Sequence, residues 1–265
     1  MINFLTIFAK NYFKFGVSRS SACLSYYLVF SFFPLVLFLH SIIGIIDAEI
    51  ISLYAYIDIF PEQLQFLVTD YLNFLSTSDN FVPFFVGLGL TLYSFTRYVN
   101  SLYHIINNIY GYERPRLSLV KSFFFTVSLM FSVYLMLFLT IIGGEIVNFL
   151  SKYIIFSTAS EIFLTNFRVW LPAIYFFLIL VLLYRFIPSQ KITYKDALPG
   201  AFCAIIALFI LSYGFSIYIS NFSNYSIIYG SLSAIMLLML WLYFASMVIV
   251  QGSILNKMLI DFPNI

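Results

Sequence analysis

The chain has 265 residues, of which 62% are hydrophobic and only 9% are charged. An ordinary soluble domain carries about 25% charged residues, so this composition excludes a soluble fold and indicates an integral membrane protein. The formal net charge of +2 decides little, because orientation in a membrane depends on where the charges lie. The two cysteines, Cys23 and Cys203, have neither the number nor the spacing of a disulfide framework or a metal site.

The chain opens with a basic lead over residues 1–20, which contains Lys10, Lys14 and Arg19. Its apolar residues alternate with polar ones, a pattern that suits a helix lying in the membrane interface on the cytoplasmic side. The apolar run that follows is much longer than the roughly 7–15 residues of a signal-peptide core. We therefore expect that run to remain in the membrane as an anchor.

The first long apolar run covers residues 22–46 and contains no Asp, Glu, Lys or Arg. A helix of this length reaches about 37 Å, enough to cross a bilayer core of about 30 Å with some tilt. Pro34 lies near the middle of the run, where it removes a helix hydrogen bond and predicts a kink. The carbonyl that a kink frees must face protein or a cavity, so we expect this span to pack inside a bundle.

Residues 47–80 contain six Asp or Glu residues and no Lys or Arg. Apolar residues recur there at roughly helical spacing, which predicts one or two short helices broken at Pro61. We expect this acidic loop at the outer surface of the membrane, and the sequence leaves open whether it dips into the bilayer.

Five further apolar stretches complete six predicted transmembrane helices in one domain, residues 1–265. These stretches are residues 81–98, 119–142, 169–187, 197–219 and 229–254. The helical pattern of the second span continues past the membrane to Tyr110. Small residues recur in the last two spans and predict close helix contact there: Ala197, Gly200, Ala201, Ala204, Gly230 and Ser233. The predicted fold class is an all-α, polytopic membrane bundle.

An even number of spans places both termini on one side of the membrane. That side would carry most of the 13 Lys and Arg residues: Lys10, Lys14, Arg19, Arg97, Arg114, Arg116, Lys121, Arg185, Lys191, Lys195 and Lys257. The other side would carry only Lys152 and Arg168. The positive-inside rule therefore predicts cytoplasmic termini. Six spans also fit the inverted repeats of some transporters, although the two halves show no convincing sequence echo.

Four stretches together resemble one known family. They are Ser21–Leu35, Arg97–Arg116, Tyr184–Pro188 with Ala197–Ala201, and Tyr229–Asn256. In this order they are similar to the motifs of the YihY/BrkB family of bacterial inner-membrane proteins, long named after ribonuclease BN. The family's last motif usually reads G-A-E-x-N, whereas Gly252–Asn256 reads G-S-I-L-N and lacks the acid. The aromatic position before Arg97 that is often Trp is here Tyr93 or Phe95. The resemblance implies a multi-pass protein of the bacterial inner membrane.

The cytoplasmic end of the second span carries polar residues at helical spacing, so they share one helix face. They are Arg97, Asn100, Ser101, His104, Asn107 and Asn108. This polar stripe could line a cytoplasmic vestibule or bind an anionic group. The alternative is an interfacial helix whose polar face meets water and lipid headgroups.

A second set of candidates surrounds the kink predicted in the first span. Ser25, Tyr26, Tyr27 and Ser31 supply hydroxyl groups beside the carbonyl that Pro34 would free, as expected of a substrate-lined cavity. His40 lies further along the same span, and an ionisable group inside a span is a candidate for transport. Its alternative role is a hydrogen bond to a neighbouring helix, because no carboxylate lies near it in sequence.

The sequence is poor in catalytic chemistry. It has two histidines, His40 and His104, no metal-ligand spacing and no Walker loop, so we predict no catalytic residues, no metal and no cofactor. The leading hypothesis is a transporter or facilitator that works without ATP on a lipid-like or amphipathic solute. The alternatives are an assembly partner in the membrane and, from the family's older name only, a nuclease acting on tRNA. Expected partners are membrane lipids, with anionic headgroups at the basic face and a homo-oligomer left open; nucleic acid is not expected.

Overall fold

The computed structural model describes residues 2–45, 65, 69, 81–112, 121–132, 135–136, 158–221 and 232–261. Every regular element within these residues is an α-helix, which agrees with the predicted all-α class. The long helices of this part of the chain are α1 (Ile2–Lys14), α2 (Val17–Ile45), α3 (Phe81–Ile109), α4 (121–132), α5 (Thr158–Phe186), α6 (Tyr194–Asn221) and α7 (Leu232–Asp261).

Two of the described helices contain a segment that is long and apolar enough to cross a membrane by length and composition alone. These segments are Tyr194–Ile219 in α6 and Ile235–Asp261 in α7. Helix α5 contains a shorter apolar segment, Pro172–Phe186. The full set of six spans and the side on which the termini lie stay predictions.

The helices extend beyond the predicted membrane segments. Helix α2 begins at Val17 and runs through Pro34. Helix α5 begins at Thr158, eleven residues before the predicted fourth span, and no glycine or proline interrupts residues 158–171. The predicted acidic loop lies outside the described residues except for Gln65 and Thr69, which are helical. The predicted third span, residues 119–142, is described at 121–132 and 135–136, and these residues are helical.

Glycines with positive φ end two of the helices. Gly16, at φ 59°, separates α1 from α2, and Gly111, at φ 87°, follows the end of α3. Beyond Gly111, the N–H of Tyr112 donates to the carbonyl of Asn107 at 2.9 Å. Such a backward bond satisfies a carbonyl that the helix end leaves free. The sequence prediction that this helix reaches the region of Tyr110 is therefore confirmed.

The start of α6 is capped by its own side chains. The N–H of Thr193 donates to Oδ2 of Asp196 at 3.2 Å, and the N–H of Asp196 donates to Oγ1 of Thr193 at 3.4 Å. This reciprocal capping box satisfies donors that the first helical turn leaves unpaired.

Helix α2 packs antiparallel along α3, so Tyr27 faces Arg97 and Cys23 faces Ser101. Helix α7 packs against α1, α2, α3 and α6, while α5 packs against α6. The buried core lies where the C-terminal halves of α3, α5 and α7 meet the first half of α6. The small residues Ala197, Ala201 and Ala204 are buried in that core, so α6 uses this face within the chain.

The surface of the described bundle is apolar, and small hydroxyl groups are inside. Phe124, Phe131, Ile210 and Tyr213 are 65–73% exposed. The buried hydroxyls belong to Ser21, Ser25, Ser31, Thr91, Ser94, Ser122, Thr126, Ser233, Ser246 and Ser253. Such a surface is unfavourable in water but expected against lipid, where small polar residues mediate helix contacts.

Candidate functional site

The pair of α2 and α3 presents an arginine among aromatic rings. Cζ of Arg97 lies 5.9 Å from the ring centroid of Tyr27, and the Arg97 side chain is exposed. The other polar groups near the guanidinium are Tyr93 and Cys23, and no carboxylate of the described residues is among them. Tyr26, beside Tyr27, is 53% exposed and stacks on Phe30 with centroids 6.0 Å apart. The result is a cationic, aromatic surface, here called the Arg97 surface.

The polar stripe predicted on α3 is divided by its neighbours. Arg97, His104 and Asn108 are exposed, as a vestibule or a headgroup site requires. Asn100 instead accepts a hydrogen bond from Oγ of Ser122 on α4 at 3.0 Å. Ser101 donates from its hydroxyl to Sγ of Cys23 on α2, with Oγ and Sγ 3.8 Å apart.

The sixth member of the stripe, Asn107, is fully buried. Its Nδ2 donates to the carbonyls of Tyr103 at 2.9 Å and Ile187 at 3.1 Å, and its Oδ1 accepts the N–H of Ser189 at 2.7 Å. The hydroxyls of Tyr103 and Ser189 also lie 3.1 Å apart. Asn107 therefore fastens α3 to the connection between α5 and α6.

The candidates around Pro34 are less open than the sequence indicated. Ser25 and Ser31 are buried, and their hydroxyls donate to the carbonyls of Ala22 at 2.9 Å and Leu28 at 2.7 Å in their own helix. Pro34 is partly buried inside α2. His40 belongs to α2, and its side chain lies outside the described residues. The structure thus brings Tyr26, Tyr27 and Arg97 together and places the two serines in helix contacts.

A second polar cluster was not proposed as a site from the sequence. Asn256 of α7 is fully buried, and its Oδ1 accepts the N–H of Gly200 on α6 at 2.6 Å. Its Nδ2 donates to the carbonyl of Ala197 at 3.2 Å. Nearby, the buried hydroxyl of Tyr184 on α5 donates to the carbonyl of Ile249 at 2.7 Å. The available signal was a lone asparagine inside an apolar helix, which must find partners when buried.

The cluster continues to the end of α3. The hydroxyl of Tyr110 is buried, and burial raises the pKa of Tyr110 well above its usual range, so the phenol stays neutral at ordinary pH. Nζ of Lys257 lies 5.9 Å from the Tyr110 ring centroid and pairs with Asp261 at 2.6 Å. Tyr110 and Lys257 therefore bring the C-terminal ends of α3 and α7 into contact.

No metal centre emerges from the part of the chain that the structure describes. No group of three or more His, Cys, Asp or Glu side chains lies close enough there to hold a metal ion. His104 is exposed near one end of α3, while His40 lies in the second half of the antiparallel α2.

These features define a helical membrane protein with an apolar exterior and a polar, tightly packed end. The chain belongs to the family described as virulence factor BrkB, whose model matches residues 8–261. It is 27% identical over 254 residues to a ribonuclease-like protein, YfkH, of Bacillus subtilis, covering 92% of this chain and 90% of that protein.

Shorter matches reach the UPF0761 membrane proteins of Xanthomonas. In Xanthomonas oryzae and Xanthomonas campestris the identity is 38% over 86 residues, or 32% of this chain. The match spans 20% of the length of those relatives. No solved structure matches this chain.

Proposed function

We propose that this protein is a six-span facilitator of the bacterial inner membrane that moves a lipid-like or amphipathic anionic solute without ATP hydrolysis. Both termini lie in the cytoplasm, since the predicted loops on their side hold most of the Lys and Arg residues. The observation that carries the proposal is the Arg97 surface: an exposed guanidinium between helices, ringed by tyrosines, with no carboxylate beside it among the described residues.

The depth of Arg97 supports this reading. The helical rise of about 1.5 Å per residue places Arg97 about 24 Å along α3 from Phe81. If the apolar core of about 30 Å begins at Phe81, the Arg97 backbone lies about 6 Å inside the opposite boundary. A long arginine side chain reaches the headgroup layer from that depth.

The charge balance around Arg97 favours an anionic solute. An unpaired cation near lipid is costly, and an anion that enters the site lowers that cost. Exposed Tyr26 and Tyr93 add aromatic surfaces that suit the interface between headgroups and acyl chains. A phospholipid, or a molecule with the same polar head and apolar body, satisfies both requirements.

The proposal includes no hydrolytic activity. The ribonuclease-like name belongs to the Bacillus relative, which is 27% identical to this chain. The sequence has two histidines, and His40 and His104 lie towards opposite ends of the antiparallel pair α2 and α3. A metal-dependent nuclease would need such ligands together.

The test is lipid movement in proteoliposomes that contain phosphatidylglycerol with a fluorescent headgroup. Dithionite bleaches only the outer leaflet, so bleaching beyond that of empty liposomes measures translocation. We expect Arg97→Gln to slow translocation about tenfold, the effect of losing about 1.4 kcal/mol of interaction. Arg19→Gln, which removes an exposed arginine elsewhere on α2, is the matched control and should keep the wild-type rate. Equal bleaching in wild-type and empty liposomes, for lipid and for a trapped anionic dye, would refute the proposal.

A further inference from the structure

A second arginine, Arg185, is held between aromatic rings in the last turn of α5. Its Cζ lies 3.4 Å from the ring centroid of Tyr194, at the start of α6, and 5.2 Å from that of Phe186. Contact this close fixes the plane of the guanidinium against the Tyr194 ring, so the side chain is oriented before any ligand arrives.

Among the described residues, the contacts of the Arg185 guanidinium are ring contacts and not hydrogen bonds. Nη1 is buried without a hydrogen-bond partner, and the side chain makes no hydrogen bond or ion pair to any other described residue. Arg185 as a whole is only partly buried. A partly buried arginine normally uses its fork on a carboxylate, a carbonyl or a phosphate.

The charges nearby add to that of Arg185. Lys191 and Lys195, in the connection to α6 and its first turn, are exposed. The acidic side chains whose contacts the structure describes at this end of the bundle have other partners: Asp196 caps α6 with Thr193, and Asp261 pairs with Lys257. The local field in this part of the chain is therefore positive.

The surroundings of Arg185 match the boundary of a bilayer. Phe186 is 54% exposed and Tyr194 is 50% exposed, and aromatic side chains are enriched at the level of lipid headgroups. Asn107 bonds the carbonyl of Ile187 and the N–H of Ser189, which ties the connection between α5 and α6 to α3.

We propose that Arg185, Lys191 and Lys195 form a binding site for a phosphate group, supplied by the headgroup of an anionic phospholipid or by a free phosphate. Arg185 donates from its preoriented fork to two phosphate oxygens, and the lysines add charge from the rim. The site is separate from the Arg97 surface and depends on membrane location, not on transport, so failure of the transport proposal leaves it standing.

Thermal unfolding of the full chain in mild detergent tests the site. Phosphatidylglycerol is compared with phosphatidylcholine, and inorganic phosphate is added in separate samples. We expect phosphatidylglycerol to raise the unfolding midpoint by about 4 °C, as a ligand well above its dissociation constant does. Arg185→Gln should abolish that rise, and the double variant Lys191→Gln/Lys195→Gln should reduce it. Lys121→Gln, an exposed cation on α4, should respond as the wild type does.

The outcomes separate the two sources of phosphate. A rise with lipid alone that Arg185→Gln removes identifies a headgroup site, and a rise with inorganic phosphate that it removes identifies a free-phosphate site. If Arg185→Gln does not fold, Tyr194→Leu is the second variant. It removes the ring on which the guanidinium stacks but keeps the charge of Arg185, and it should weaken the rise in the unfolding midpoint. A rise that these variants leave unchanged overturns the proposal, as does no rise at all in the wild type.

A carboxylate from outside the described residues that paired with Arg185 would compete with a phosphate, and Glu113 serves to test this. If its carboxylate pairs with Arg185, Glu113→Gln and Arg185→Gln should lower the midpoint in lipid-free detergent by equal amounts, and the double variant by no more than either. That non-additive result would also overturn the proposal.

Discussion

Asn256 on α7 holds the first turns of α6 through Gly200. Its Oδ1 accepts the Gly200 N–H at 2.6 Å, and its Nδ2 donates to the carbonyl of Ala197 at 3.2 Å. Pro199, between these two residues, has no N–H, which weakens the helix ladder at this point. Asn256 therefore adds hydrogen bonds from the neighbouring helix on both sides of Pro199, beside the turn in which the Lys195 carbonyl lacks its helical donor.

Replacing Asn256 tests this role. Asn256→Ala removes both bonds inside the buried core, and leaving buried polar groups unpaired costs about 1–3 kcal/mol. We expect a clearly lower unfolding midpoint in detergent, measured by intrinsic fluorescence. Asn108→Ala, an exposed asparagine on α3, is the control and should change stability by less than about 0.5 kcal/mol. Equal midpoints for the two variants would contradict the role given to Asn256.

The closest approach of α6 and α7 depends on two glycines. A Cβ on Gly200 would clash with the carbonyl of Gly252 and the carboxamide of Asn256, and a Cβ on Gly252 would clash with the Tyr184 hydroxyl. Overpacking of this kind costs about 1–3 kcal/mol or more, so Gly200→Ala and Gly252→Ala should both lower the unfolding midpoint. Gly214→Ala is the matched control on α6, because nothing lies within 4 Å of its Cβ position.

The Gly214→Ala control should change the unfolding midpoint in the opposite direction. Alanine is favoured over glycine inside a helix by about 1 kcal/mol, so Gly214→Ala should keep or raise the midpoint. Because the Gly252 clash involves the Tyr184 hydroxyl, Tyr184→Phe should relieve part of the Gly252→Ala defect. Independent, additive effects of these two changes would show that the hydroxyl is not the obstacle.

The sequence predicted the helices better than the contacts between them. The apolar run and the helical spacing that continues to Tyr110 sufficed to predict the course of α3, because both signals are local. Small residues in the fifth predicted span indicated close packing, which Gly200 confirms. The pairing of Asn256 with Gly200 joins residues 56 positions apart, and no spacing rule predicts which distant backbone a buried amide will meet.

For the candidate site, too, the sequence predicted the helix face but not the contacts of its residues. Helical spacing placed Asn107 on a polar face with Arg97, and both residues do lie on α3. Burial separated their roles, because α3 meets the connection between α5 and α6 on the side of Asn107 and leaves Arg97 open. The contact of Arg97 with Tyr27 depends on the antiparallel register of α2 and α3, which the sequence alone leaves free.

Asn107 should control the mobility of the connection between α5 and α6. Asn107→Ala removes the acceptor for the Ser189 N–H and the donor to the Ile187 carbonyl. Hydrogen exchange should then become faster in peptides covering residues 187–193, because the backbone amides of this connection can exchange by local opening while the helices stay folded. His104→Ala, an exposed change one turn earlier on α3, should leave that exchange unchanged. Faster exchange throughout α3 in Asn107→Ala would instead indicate global destabilisation.

The membrane orientation can be read from single cysteines. Cys23 and Cys203 are both exposed and unpaired, so they are first replaced by serine to give a background without thiols. In intact cells an impermeant maleimide should then label Asn224→Cys, which lies between α6 and α7 in the sequence. It should not label Lys191→Cys, between α5 and α6, because the basic connection is predicted to face the cytoplasm. After permeabilisation both positions should react. Labelling of Lys191→Cys in intact cells would invert the topology, and it would place the Arg97 surface near the outer leaflet.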